Sequence, residues 1–140
     1  MDISVEHDPD PDDLELIDAG VRRAADAATR IPPDTDLAVF ARVDGKLCAG
    51  LTGWTWGDCC ELQNLWVDDD LRGRGLGTTL MRAGEDEARA RGCTTIVIFA
   101  HSFQPHELYH RLGYDVVARI EDFPTGSDAL WMVKRLDPRG

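Results

Sequence analysis

Residues 64–81, NLWVDDDLRGRGLGTTLM, place three demands on one short piece of chain. An apolar stretch ends at Val67. Three alternating glycines follow, Gly73, Gly75 and Gly77. Then Leu76, Leu80, Ala83, Gly84 and Ala88 recur at helical spacing along one face. A strand that feeds an amphipathic helix through so tight a connection belongs to a layered fold, with the helix packed back on a sheet. The glycines let the backbone approach a ligand with no Cβ in the way. Free N–H groups at a helix start favour an anion. Arg72 and Arg74 add positive charge to a chain whose net charge is -11. The loop therefore calls for a phosphate or pyrophosphate. Two common phosphate loops do not fit. The dinucleotide fingerprint needs glycine where Thr78 stands, and the Walker loop needs a Gly-Lys-Ser/Thr run that is absent.

The rest of the chain reads as one domain over residues 1–140, long enough for a single core. ISVEH (3–7) alternates and predicts an edge strand. Residues 14–30 have a helical period that begins after DPDPDD and stops at IPPDTD. Residues 37–67 read as strands, with a tight turn at Asp44-Gly45, a second near Gly57-Asp58, and a last strand over 59–67. Gly92 is the expected C-cap of the helix after the glycine loop. TTIVIFA is apolar and β-branched, as a strand covered on both faces would be. QPHELYHRLGY predicts a short helix ending at Gly113. DVVARIEDF and ALWMVKRL predict two more strands, separated by PTGSD. The expected class is α/β (α+β): a mixed, mostly antiparallel sheet of about six or seven strands flanked by helices.

The charge excludes a nucleic-acid groove, which needs clustered Lys and Arg. The acid is mostly Asp, and Lys occurs only at Lys46 and Lys134. Such a surface suits a high-salt interior, where screening shortens repulsion to a few ångströms. The longest apolar runs are too short to span a bilayer, and the acidic N-terminus lacks the basic and apolar regions of a secretory signal. A cytoplasmic location is expected, with no membrane partner. Cys48, Cys59, Cys60 and Cys93 form no C-x-x-C pair and imply neither zinc nor a disulfide framework.

These motifs resemble the GNAT superfamily of acetyl-CoA-dependent N-acetyltransferases. The family signature, Q/R-x-x-G-x-G/A after a strand, is filled by Arg72, Gly75 and Gly77, with LWVDDDL before it. The resemblance extends through TTIVIFAHSFQPHELYHRLGYDVVARIEDFP and covers at least residues 37–136. It implies acetyl-CoA as co-substrate, with the pyrophosphate on the backbone of Arg72, Gly73, Arg74, Gly75, Leu76, Gly77 and Thr78. It also implies that the pantetheine arm pairs with Leu65, Trp66 and Val67. Many members carry Asn seven residues before the tyrosine; here Ser102 stands there, offering a hydroxyl in its place.

Acetyl transfer needs an amine that loses its proton, a stabilised carbonyl oxygen, oriented reactants and a departing thiolate. The resemblance assigns the oxyanion to a backbone N–H at the end of the 65–67 strand, a contact typically worth about 3 kcal/mol. It assigns the general acid to Tyr109. Glu61 is the candidate base, expected on the same strand face as Gln63, Leu65 and Val67. His101, at the end of the central strand, is the second candidate. The acceptor is expected to be a primary amine of a small molecule or peptide. GWTWGD (53–58) and EDFPTGSD (121–128) flank its mouth, and their acids suit a polyamine, an aminoglycoside-like antibiotic or a peptide amine. The terminal strand ALWMVKRL is the candidate edge for a homodimer.

One competing motif lies within the same stretch. His106, Glu107 and His110 spell H-E-x-x-H, and Gly113 extends the match to a zinc peptidase. A catalytic zinc needs three protein ligands plus water. The third position is Val116, so no metal is expected.

Overall fold

The computed structural model describes residues 1–136. They divide into two compact units, Met1–Pro33 and the described residues from Asp34 onward. The first unit holds helix α1, Pro11–Thr29. Asp10 caps it, its Oδ1 accepting the Asp12 N–H at 2.8 Å. Pro11 takes the first position, where no N–H is needed, and Asp12 and Asp13 face the positive end of the helix dipole. Residues 3–7 are not a strand. Their alternation is only five residues long and runs straight into the Asp/Pro turn that starts the helix, so it sets no ladder.

The second unit is a six-stranded sheet in the order β1-β2-β3-β4-β6-β5. The strands are β1 (Thr35–Val43), β2 (Lys46–Trp56), β3 (Cys59–Val67), β4 (Thr95–His101), β5 (Asp115–Ile120) and β6 (Ala129–Arg135). Only β3 and β4 run parallel. The connection between them carries a 3-10 turn (Asp69–Leu71) and α2 (Leu76–Ala90), as a parallel crossover requires. Helix α3 (His106–Arg111) follows β4. The β1-β2 turn has positive φ at both Asp44 (51°) and Gly45 (79°), which matches the twist of a hairpin. The terminal strand lies inside the sheet, between β4 and β5, and the edges are β1 and β5. The homodimer edge expected from ALWMVKRL is therefore already paired on both sides.

One sheet face is the core. Leu51, Leu62, Ile96, Ile98, Leu130 and Met132 are almost fully buried there with Met81 of α2. Gly84 lets α2 approach, because a Cβ on it would come 2.6 Å from Leu51 Cδ2. Arg91 ties the far end of α2 to the sheet through the Asp36 carbonyl (2.9 Å) and Thr55 Oγ1 (3.1 Å). Strand β4 is buried only on this face; Thr95, Val97, Phe99 and His101 are half-buried on the other.

A bulge in β3 decides the geometry of everything that follows. Thr52 pairs with Asn64, and Gly53 pairs with Leu62, so Gln63 is the extra residue. A side chain on Gly53 would overlap the Glu61 carbonyl oxygen, which is why the strand opposite the bulge carries glycine. The bulge shifts the alternation by one. Cys60 and Leu62 face the core before it; Leu65 and Val67 pack against the core after it. Glu61 therefore shares a face with Asn64 and Trp66, not with Leu65 and Val67. The same-face expectation fails because the period of two does not run through an inserted residue.

Candidate active site

Strands β3 and β4 begin as neighbours and then part. Their pairing runs only from Cys59↔Thr95 to Leu62↔Ile98. From Gln63 onward β3 stays paired to β2, while β4 continues along β6 to His101. The β3 edge over residues 63–67 is thus left without a strand on its other side, and apart from the Val67 carbonyl, which accepts from Arg72, its outward backbone groups are open to a ligand.

A cavity of about 710 Å³ opens at this gap. One wall is Leu65, Trp66 and Val67. The floor is the glycine loop and the first turn of α2: Arg72, Gly73, Gly75, Leu76, Gly77 and Thr78. Gly73 and Gly75 have φ of 77° and 76°, and nothing occupies the space where a Cβ would be. The chain makes the turn only because these residues are glycine. Gly77 serves packing instead: a Cβ would meet Leu108 Cδ2 at 3.3 Å. No side chain caps α2 at Gly75, so its first amides keep their donors for an anion. Arg72 is held in place by the Val67 carbonyl (Nε, 3.2 Å) and by Asp69 (3.1 Å).

Two of the residues expected at the cofactor are not part of the cavity lining. Arg74 does not line the cavity. Ser102 follows β4, and its Oγ accepts the Asp128 N–H at 2.9 Å, which fixes the β5-β6 connection. Sequence reasoning also missed part of the lining. Phe103, Gln104, Pro105, Leu108 and Arg111 form the far wall. Arg111 supplies a second cavity cation beside Arg72. Its signal was a basic residue in the last turn of the short helix, next to a motif that drew attention to its histidines.

Tyr109 is 7% exposed and belongs to the core cluster with Leu80, Met81 and Leu112. Its ring meets Tyr114 edge-on at 6.3 Å. Burial pushes the phenol above its ordinary value, so it stays protonated at neutral pH. Its neighbour Leu108 lines the cavity, whereas Tyr109 itself packs in the core and is not part of the lining. Glu61 is half-buried on the opposite sheet face, level with Val97. Gln63 Nε2 donates to its Oε2 at 3.2 Å, and it forms no ion pair among the described residues. His101 lies further along the same face. Its backbone N–H donates to Gln104 Oε1 at 2.7 Å, and its ring packs 5.1 Å from Phe103.

His106 Nδ1 lies 3.1 Å from the Gln104 carbonyl, and His110 is exposed. No group of three metal-ligating side chains assembles among the described residues. The four cysteines are unpaired. None lines the cavity, and burial raises the Cys60 thiol to about 12. No described helix is long and apolar enough to cross a membrane.

Comparison with known proteins adds to this geometry. Residues 4–114 match the acetyltransferase (GNAT) family. The chain is 38% identical over 96 residues to blasticidin-S acetyltransferase of Streptomyces morookaense, covering 66% of this chain and 68% of that protein. It is similar to the crystal structure of an acetyltransferase from Bacillus cereus ATCC 14579, with a TM-score of 0.81 and 26% identity over 95% of this chain and 98% of that one. An aminoglycoside 6'-N-acetyltransferase complexed with coenzyme A shares the fold, with a TM-score of 0.66 and 24% identity over 75% of each chain.

Proposed function

Because the chain belongs to the acetyltransferase (GNAT) family and is an acyltransferase, we propose that it moves the acetyl group of acetyl-CoA to a primary amine of a small molecule or peptide. In this reading residues 1–140 act as one acetyltransferase domain. The observation that carries it is the gap between β3 and β4, floored by the glycine loop with Arg72 and Arg111 at its sides.

The loop amides and the two arginines would hold the pyrophosphate. The free edge over residues 63–67 would take the amide-bearing arm as an added strand. That places the thioester where the strands part, between two sheet faces. Tyr109 approaches from the α3 side and hydrogen-bonds the sulfur as charge builds there, giving up its proton as the carbon–sulfur bond breaks. Glu61, on the opposite face, meets the incoming ammonium and takes its proton. A backbone N–H of residues 65–67 stabilises the carbonyl oxygen. Transfer is direct, within a ternary complex. A covalent relay would need a thiolate in the cavity, and none of the cysteines is there.

The loop can be tested separately from the chemistry. Valine at position 75 would force a β-branched residue into the left-handed region, at about 1–2 kcal/mol. The loop escapes that cost by moving its amides away from the anion. In a calorimetric titration the wild type should bind one acetyl-CoA, and Gly75→Val should bind about tenfold more weakly or worse. Equal affinity in both proteins would place the cofactor elsewhere.

A further inference from the structure

Beside the gap, on the sheet face away from α2, five rings from four segments meet. Phe99 lies 4.6 Å from Trp131 and 5.3 Å from His101, centroid to centroid. The Phe123 ring lies 6.3 Å from His101 with the planes only 12° apart. Phe103 packs on His101 at 5.1 Å and also lines the cofactor cavity. The cluster is therefore continuous with the place where the thioester would lie. It is not a closed core: Phe103, Phe123 and Trp131 are exposed.

Position 123 is fixed by polar contacts. The Phe123 N–H donates to the Ser127 carbonyl at 2.8 Å, and the Asp122 N–H donates to Asp128 Oδ1 at 3.3 Å. Arg119 holds Asp128 Oδ2 at 2.7 Å, and Ser102 accepts the Asp128 N–H. A surface ring held this firmly next to a reaction site serves recognition better than it serves folding. Glu61 supplies the complementary charge. It sits on the same face, opposite Val97, two residues before Phe99 on β4, half-buried and without a cation among the described residues.

We propose that this wall is the acceptor subsite, and that it selects primary amines borne on a flat conjugated ring. The ring stacks against Phe123, Phe99 and Trp131, and the ammonium faces Glu61. This rests on the acetyl-transfer reading above and names the acceptor class for it.

The test compares 2-phenylethylamine with 2-cyclohexylethylamine, which match in size and amine but differ in the π face. The wild type should show a kcat/KM about tenfold higher for the phenyl amine. Phe123→Leu should bring that ratio close to one, while its acetyl-CoA dissociation constant stays within about twofold, showing an intact fold. A wild-type ratio near one overturns the proposal. So does a Phe123→Leu variant that keeps the preference, or turnover of aliphatic amines only. In those outcomes the acetyl-transfer reading stands. Failure of every amine to release coenzyme A, by contrast, overturns that reading and this one with it.

Discussion

Phenylalanine at position 109 should lower the turnover number of acetyl transfer about 100-fold or more, with little change in acetyl-CoA affinity. Tyr109→Phe removes one oxygen from a ring that is otherwise packed in the core, so the fold should survive. What is lost is the proton for the leaving sulfur. A free phenol titrates near 10 and a thiol near 8.5, so the phenol is protonated wherever the thiolate needs help. Burial moves Tyr109 further up. The sign of the pH effect follows. The acid form persists through neutral pH, and the alkaline fall in rate that belongs to Tyr109 lies above pH 10. In the phenylalanine variant that limb should vanish. A variant that keeps wild-type turnover would reduce Tyr109 to a packing residue.

Lys134→Ala should cost about 3–5 kcal/mol of stability, the largest single loss expected in the molecule. Glu85 is 1% exposed, and its carboxylate takes Lys134 Nζ at 3.0 and 3.1 Å and the Tyr114 hydroxyl at 2.8 Å. Burial first, and then the Glu85 charge, drives the Tyr114 phenol far above its ordinary value, so the hydroxyl remains a donor. Removing the lysine leaves a buried anion with one neutral partner. The double variant Glu85→Gln, Lys134→Met should recover most of the loss, because no net charge is then stranded. Urea unfolding of the three proteins checks this. A loss under about 1 kcal/mol in Lys134→Ala would show that water reaches the carboxylate. The network also joins α2 to β6 and to the Gly113-Tyr114 corner after α3. Lys134 Cε lies 3.6 Å from where a Gly113 Cβ would be. It therefore steadies the helix that carries Tyr109, and a drop in turnover should accompany the drop in stability.

The contrast between what was and was not legible follows from the range of the interactions. The β3 strand was expected over 59–67 and occupies Cys59–Val67. The glycine loop could be read because positive φ at Gly73 and Gly75 is a local demand that only the local residue can meet. The bulge at Gln63 could not be read. Leu62, Leu65, Trp66 and Val67 are all apolar, so the pattern allows either face, and the choice depends on Gly53 across the hairpin. Glu85 sits in GEDEARA, which looks like a solvated helix face; its burial is set by Tyr114 and Lys134, both far along the chain. The aromatic wall is non-local in the same way, assembled from β4, the segment after it, the β5-β6 connection and β6. Strand edges fail for the opposite reason. Residues 3–7 have a strand's alternation but nothing in the sequence states whether a partner waits.

The most direct measurement of the central claim is free coenzyme A released from acetyl-CoA by the purified protein against a panel of primary amines, with the acetylated amine weighed by mass spectrometry. The acetyltransferase account predicts equal amounts of coenzyme A and acetylated amine for at least one acceptor, and near-complete loss of both in Tyr109→Phe. Tight binding of acetyl-CoA with no release of coenzyme A to any amine would contradict it.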